Sequence, residues 1–376
     1  MTSVLIIGGG AIGLSLAYEL ACRGRKVTVV ERGDVGRESS WAGAGIIPAP
    51  ATKIVDAPPL VRLSTLAAQL HADWHAKLLK ETGIDNGYRV CGAIYLADSE
   101  GEQSSLRMEL AAWQRHGIEH EELTAERLAT VEPALASRST ADGPSAVYRL
   151  LSEAQLRNPR HLRALESACT ARGVRIIVRA PVEDFVVEAG RCREVRTPVG
   201  PFSADVVCLC GGAWSGELGA RLGLKLNIKP IRGQIVLLHP SQPLVRSVVY
   251  AGPNFRHYFV ARDDGRVLVG STEEDVGFDK QPTAGAAREL LDFAIRLAPE
   301  LASAPVEQTW AGLRPYSADG LPYLGRAPEL SNVFIAAGHY RWGLSLSTAT
   351  AVLMSQLICD EPPALDLMPL RIDRAS

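Results

Sequence analysis

Gly8, Gly10 and Gly13 stand in the spacing G-x-G-x-x-G, and Glu31 follows about 20 residues further on. That set of residues is chemistry for a dinucleotide. Gly8 makes a tight turn, Gly10 lets a pyrophosphate approach the backbone, and Gly13 lets a helix pack closely on a strand. An acid at the position of Glu31 accepts hydrogen bonds from ribose hydroxyls. The elements needed around the motif are also present. Val4–Ile7 is an unbroken apolar run suited to a buried strand. Ile12, Leu16 and Leu20 form one helical stripe, with Ala17 and Ala21 keeping it narrow. Gly24 ends that helix, and Lys26–Val30 reads as a second buried strand leading into Glu31. The first open N–H groups and the positive end of the helix dipole then face the phosphates.

Other reactive residue types are scattered. His71/His75 and His116/His120 are i,i+4 pairs on expected helices, but no carboxylate or third ligand falls in register, so they read as solvated faces and no metal is expected. The seven cysteines include no C-x-x-C pair. Cys208 and Cys210 alternate on an expected strand and point to one face, into a core. An odd, dispersed set of thiols indicates reduced cysteines and a cytoplasmic protein.

These groups need a large scaffold to position them. At 376 residues the chain exceeds what one core usually serves, so two domains are expected. A net charge of −2 gives no electrostatic reason to expect nucleic acid or an anionic membrane as partner. No apolar run approaches the ~18 residues of a membrane span. The apolar N-terminus lacks the basic flank of a signal peptide, and Glu19 and Arg23 interrupt it.

Beyond Glu31, small residues crowd the stretch Ser39–Ile47, where a flat ligand or another backbone could come close. Leu63–Lys80 is an expected helix, Val90–Ala97 a strand and Leu106–His116 a helix, which together interrupt the strand–helix alternation up to about residue 150. Pro159–Arg172 returns as a helix, followed by strands at Val174–Val178, Val182–Glu188 and Ala204–Cys210. The last of these runs into Gly211-Gly212-Ala213-Trp214. Ile231–Leu238, Ser247–Tyr250, His257–Arg262 and Arg266–Ser271 read as an antiparallel sheet, with Asp263-Asp264-Gly265 turning a hairpin. Ala286–Leu297 is a helix. Trp310–Pro315 and Asp319–Tyr323 lead back to the first domain, where Val333–Ala336 is the last strand. Gly338–Gly343 then loops into a closing helix at Ser347–Ile358.

The opening motif through Glu31-Arg32, Ser39–Ile47, Ala204–Ser215, Trp310–Gly325 and Gly338–Gly343 together resemble one family. It is the FAD-dependent amine and amino-acid oxidases typified by D-amino-acid oxidase and sarcosine oxidase. Within it the resemblance is nearest to the branch that oxidises glycine for thiamine biosynthesis. It runs end to end, and "WAGLRP…DGLPYLG…GHYR" is its most discriminating part. The implied fold is α/β: a Rossmann-like FAD-binding domain from 1–60, 150–225 and 322–376, with a substrate-binding domain from 61–149 and 226–321 built on an antiparallel sheet.

The resemblance implies an extended, non-covalent FAD. Beside Gly8, Gly10 and Gly13, the matching positions are Ala11, Ile12, Glu31, Arg32, Ser39, Ser40, Ala44, Gly45, Ile46, Val182, Gly211 and Trp214. The loop Gly338, His339, Tyr340, Arg341, Trp342, Gly343 and Leu344 would border the flavin, where the dipole of the closing helix favours hydride acceptance. Arg314 and Arg341 match the pair that holds the substrate carboxylate, and Tyr258 matches its hydroxyl partner. A guanidinium fork suits a carboxylate, and a tyrosine adds a donor without charge. The implied reaction is hydride transfer from a small amino acid to flavin N5, with O2 reoxidising the flavin to give H2O2. The imine is hydrolysed to a 2-oxo acid and ammonia, or handed over to a thiazole synthase. A homo-oligomer is compatible with the resemblance. Two positions depart from the pattern: Trp342 replaces a small polar residue, and Glu273 follows "VGST" where some members are apolar. Leu313–Tyr316 offers no cysteine for covalent flavin. A D-amino-acid dehydrogenase passing electrons to a quinone, a flavin subunit of a larger complex, and a non-catalytic FAD-binding protein remain as alternatives.

Overall fold

A computed structural model describes residues 2–136 and 146–374. The N-terminal apolar runs become the centre of a six-stranded sheet. Its order is Tyr323–Arg326, Val333–Ala337, Val206–Leu209, Ser3–Ile7, Lys26–Val30, Arg175–Ile177, and all strands are parallel except the first. Alternation along Ser3–Ile7 sends Val4 and Ile6 to one face and Leu5 and Ile7 to the other. Val4 and Ile6 meet the helices Ala11–Cys22, Asn158–Ala171 and Ser347–Ile358. On the other face Leu5 and Ile7 share a core with Phe185, Cys192 and Val195. These belong to a separate antiparallel sheet of Asp184–Glu188, Arg191–Thr197 and Gly200–Phe202. The last two strands were not expected from sequence, because Arg191–Thr197 alternates charges with apolar residues too sparsely to stand out.

The helix Pro59–Thr82 packs Leu63, Ala67, Trp74 and Leu78 into the parallel-sheet core. A boundary at residue 61 therefore does not follow the packing. His71 on this helix is buried, and its Nε2 donates to the Ser345 carbonyl at 2.9 Å. His116 is buried as well. Neither histidine pair is the solvated face expected from its spacing, because tertiary neighbours cover the polar stripe. Cys208 and Cys210 do share a face and are buried, and all seven cysteines are free. Among the described residues no helix is long and apolar enough to cross a membrane, and no His/Cys/Asp/Glu group could hold a metal ion.

The second large sheet has eight strands, in the order Val306–Ser317, Ile228–Leu238, Val267–Gly270, His257–Ala261, Val248–Ala251, Ala93–Ala97, Ala146–Leu150, His120–Glu122. It is antiparallel except where Val248–Ala251 pairs parallel to Ala93–Ala97. That parallel join brings together a strand of the early insertion, Ala93–Ala97, and one of the late insertion, Val248–Ala251. Val306–Ser317 is one of its longest strands, although its polar start hid it in the sequence. Helix Ala284–Leu297 covers one face through Leu290, Phe293 and Leu297.

The opposite face carries a row of directly paired residues across seven strands: Tyr148, Tyr95, Tyr250, Tyr258, Gly270, Ile235 and Trp310. Cross-strand aromatic pairing of this kind stabilises a sheet face. Here it also forms the wall that looks toward the parallel sheet, since Tyr250, Tyr258 and Ile235 line the cavity between the two.

Candidate active site

Between the carboxyl ends of the parallel strands and the aromatic face of the second sheet lies a cavity of about 430 Å³. A crevice at the strand ends of an open α/β sheet is the expected place for a ligand. One end is built by the glycine motif. Gly8 has φ +111°, and a Cβ there would meet the Cys210 carbonyl oxygen at 2.4 Å. A Cβ on Gly13 would stand 1.9 Å from the Gly8 carbonyl oxygen. Gly13 does not line the cavity, so its place is behind the wall, where it permits the helix–strand contact. The helix Ala11–Cys22 begins at Gly10 without a side-chain cap of its own, while Ser40 Oγ accepts from Ala11 N–H at 2.9 Å.

Glu31 is buried and fixes the loops around it. Its carboxylate accepts from Gly9 N–H at 2.7 Å and from Gly33 N–H at 2.9 Å. Arg32 lies 3.3 Å from the centroid of the Trp214 ring and pairs with Glu38. Val182, which the strand expected at Val182–Glu188 leaves out by starting at Asp184, lines the same end with Gly211 and Trp214.

The middle of the cavity is the small-residue stretch. Ser39–Ala42 forms a short helix, and Gly312 packs so closely on it that a Cβ would stand 2.5 Å from Ala42 Cβ. Trp310 Nε1 donates to the Ala42 carbonyl at 3.0 Å. Ser39, Ser40, Ala44, Gly45 and Ile46 all line the cavity. Gly45, at φ +75°, has its Cβ direction filled by the Leu156 carbonyl. Behind it Arg262, missed from sequence, donates to the carbonyls of Ala44 at 2.8 Å and Leu156 at 3.1 Å, and to Gln155 Oε1. Burial pushes its pKa down to about 10. Asn158 donates to the Ser40 carbonyl at 2.7 Å, while its buried Oδ1 faces the cavity wall with no partner.

At the other end stand Arg314 and Tyr258. The Arg314 guanidinium lies flat on Gly233, where a Cβ would be 2.2–2.3 Å from its atoms. It donates to the Thr272 carbonyl at 2.9 Å and to Ser271 Oγ at 2.7 Å. Burial, reinforced by the Arg341 charge, lowers its pKa, while Tyr258 and Glu273 act in the opposite sense. The Tyr258 ring lies on Gly270, where a Cβ would meet its hydroxyl end at 2.7 Å. Gly233 and Gly270 were not singled out from sequence. Their only signal was a glycine within one strand, between Arg232 and Gln234, and a glycine closing another, Val267–Gly270.

The loop after Val333–Ala337 closes this end. Gly338 and Tyr340 take positive φ, at +79° and +49°. His339 is buried, and its Nε2 lies 3.1 Å from Thr350 Oγ1. Burial lowers its pKa to about 3, so it stays neutral. His339, Tyr340, Arg341, Trp342, Gly343 and Leu344 line the cavity, and helix Ser347–Ile358 starts just behind them without a side-chain cap. Arg341 is exposed and does not present an empty fork, since its Nη2 pairs with Glu273.

This arrangement fits FAD. There is a side-chain-free cradle at a helix N-terminus, a buried acid beside it, an unpartnered Asn158 oxygen along the way, and a second helix N-terminus at the far end. A family model described as FAD dependent oxidoreductase matches residues 3–357. The chain belongs to that family.

Its relatives span it fully. A glycine oxidase of Pseudomonas putida is 36% identical over 97% of this chain and 97% of that protein. The crystal structure of glycine oxidase from Geobacillus kaustophilus superposes with a TM-score of 0.91 at 32% identity, covering all of both chains. The bifunctional protein ThiO/ThiG of Trichormus variabilis is 32% identical over 95% of this chain, which spans 53% of that longer protein. The Arg314 and Arg341 segments of this FAD-dependent oxidoreductase both fall within the family match, which runs from residue 3 to residue 357.

Proposed function

We propose that the enzyme is an amino-acid oxidase of the glycine oxidase type, oxidising glycine and related small amines or D-amino acids. The observation that carries this reading is the pair Arg314 and Tyr258. Each is laid flat on a strand glycine and faces the cavity that also holds the dinucleotide cradle. A guanidinium supported by Ser271 and Thr272 has a geometry for holding a substrate carboxylate, and the Tyr258 hydroxyl donates beside it. Arg341 approaches from the opposite loop as the second carboxylate ligand. Together the three orient the α-carbon toward the middle of the cavity, so catalysis is positioning plus electrostatics, with no side chain as nucleophile. When bound, FAD supplies the hydride acceptor and passes the electrons to O2, giving H2O2. The uncapped N-terminus of Ser347–Ile358 would favour negative charge developing at that end of the cavity.

The binding residues for FAD in this reading are Gly8, Gly10, Ala11, Ile12, Glu31, Arg32, Ser39, Ser40, Ala44, Gly45, Ile46, Val182, Gly211, Trp214 and the loop 338–344, all of which border the cavity. Binding is non-covalent, in keeping with the absence of a cysteine in Leu313–Tyr316. The FAD-binding part comprises the parallel sheet and its helices, and the substrate part the eight-stranded sheet. The imine product is hydrolysed to a 2-oxo acid and ammonia, or serves thiazole formation. The bifunctional ThiO/ThiG relative, in which a similar chain is joined to a second part, supports that second fate. Seven free thiols accord with a cytoplasmic setting.

The test is a panel of glycine, sarcosine, D-alanine and D-proline with purified holoenzyme, followed by O2 uptake and H2O2. Stoichiometric H2O2 with glycine supports the reading. Turnover only with an added quinone would make the protein a dehydrogenase, and no turnover with any of the four would remove the assignment.

A further inference from the structure

Glu273 is one of the two positions at which this sequence departs from the family pattern, and the structure gives it three partners. Arg341 Nη2 and the Tyr340 hydroxyl donate to its two oxygens, and Arg256 Nη2 stands 3.4 Å from the oxygen that Arg341 uses. One carboxylate is therefore shared by two guanidinia. Arg341 lines the large cavity, while Glu273 lines a smaller one of about 310 Å³ beside it, and Arg256 and Ser271 line both. The acid sits at the junction, two residues beyond Ser271, which holds Arg314. The neighbouring acid, Glu274, is turned the other way onto Arg232, Gln234 and Thr272. His257 is occupied by Glu289.

We propose that Glu273 is a specificity-determining residue. It occupies Arg341 in the free enzyme and passes to Arg256 when a substrate carboxylate takes its place. This rests on the reading of Arg341 as a carboxylate ligand. Binding is then an exchange of one carboxylate for another, and the gain from Arg341 is only the difference between the two pairs. Arg256 makes the exchange feasible, because Glu273 keeps a cation after leaving Arg341 and is not stranded as an unpaired charge. The exchange discriminates. A ligand with a carboxylate can displace Glu273, whereas an amine without one draws nothing from Arg341 and leaves the pair closed.

The experiment uses the FAD-loaded enzyme, with acetate as probe followed by flavin absorbance and glycine as substrate. Glu273→Gln should lower the acetate Kd and the glycine KM about 5- to 20-fold while kcat stays within about twofold. Glu273→Met should do the same, which guards against an effect peculiar to the amide. Arg256→Ala should raise both constants about 5-fold, because Glu273 then has nowhere to go, and this rise should vanish in the Glu273→Gln background. An acetate Kd that is unchanged or raised in Glu273→Gln overturns the proposal, as does an Arg256→Ala effect that persists in the double variant. A wild-type enzyme that binds no acetate overturns it outright. If acetate binds and responds as stated while glycine is not oxidised, the amino-acid oxidase reading fails and the exchange stands.

Discussion

Arg314 and Arg341 face the same cavity but are held in opposite ways. Arg314 grows from a long strand, rests on Gly233, and spends its donors on a serine and a backbone carbonyl that carry no charge. Its position is set before any substrate arrives, and its charge is left for the ligand. Arg341 sits on a three-residue turn next to a residue at positive φ, is exposed, and has its charge met by Glu273. A preorganised cation contributes most of its interaction to the bound state, whereas a cation that must first change partners contributes a difference. In the proposed reading the sheet wall then supplies binding strength and the loop wall supplies selection.

Breaking the sheet wall should have the largest effect. Gly233→Ala places a methyl group within 2.3 Å of the Arg314 guanidinium and must displace it. Arg314→Ala removes the charge altogether. Either should lower kcat/KM for glycine by about 3–5 kcal/mol, roughly 150-fold or more, at unchanged FAD content. Steady-state kinetics at matched flavin loading checks this, and a loss under tenfold for Gly233→Ala would show that Arg314 is not held by that platform.

Glu31→Ala tests the cofactor end. Losing charge-assisted bonds to ribose hydroxyls should weaken FAD by roughly 1.5–3 kcal/mol, about 10- to 150-fold in Kd. The Gly9 and Gly33 N–H groups also lose their acceptor, so the FAD-free protein should melt earlier. Flavin-fluorescence titration and a thermal melt of the FAD-free protein separate the two effects.

Arg341→Ala should cost less than Arg314→Ala, about 1–1.5 kcal/mol or near tenfold, mostly in KM, since part of its interaction is already spent on Glu273. Equal losses for the two arginines would dissolve the contrast between the walls. Arg341→Lys should recover only part, because an ammonium cannot form the planar fork.

Outside both walls the effect falls on stability and leaves catalysis at neutral pH untouched. Burial holds His71 at a pKa of about 4 and His161 at about 3, the latter helped by the charges of His71 and His75. Both stay neutral in the folded protein while the unfolded chain takes up protons below about pH 6.5. Stability should thus be flat above pH 6.5 and fall as pH drops toward 4, by about 1.4 kcal/mol per pH unit for each histidine. Urea unfolding at pH 7.0 and 5.5 checks the slope, and His71→Gln should make it shallower.

The two histidine pairs also show where reading the chain alone loses information. Spacing placed His71 and His75 on a helix face but could not say what would cover it, and Ser345 comes from the far end of the chain. The strand Val306–Ser317 was hidden for a similar reason. Its polar first half is exposed at the edge of the sheet, so no periodic apolar signal marked it. Arg262 carried no local pattern at all, and only the fold shows it clamping the Ala44 and Leu156 carbonyls.

Local chemistry was legible wherever a short segment does its work by itself. The turn at Gly8, the helix N-terminus after it and the acid at the end of the next strand lie within one contiguous stretch, and their backbone demands leave few residue choices. The backbone geometry of the glycine turn was therefore determined by sequence. What required the tertiary structure was every relation between distant segments: Gly233 under Arg314, Gly270 under Tyr258, the tyrosine row across the sheet, and Glu273 on Arg341. These depend on strand register, where a slip of one residue reverses which face a side chain occupies. No spacing within a single segment encodes which strand lies alongside, so the substrate wall could only be decided once the sheet was assembled.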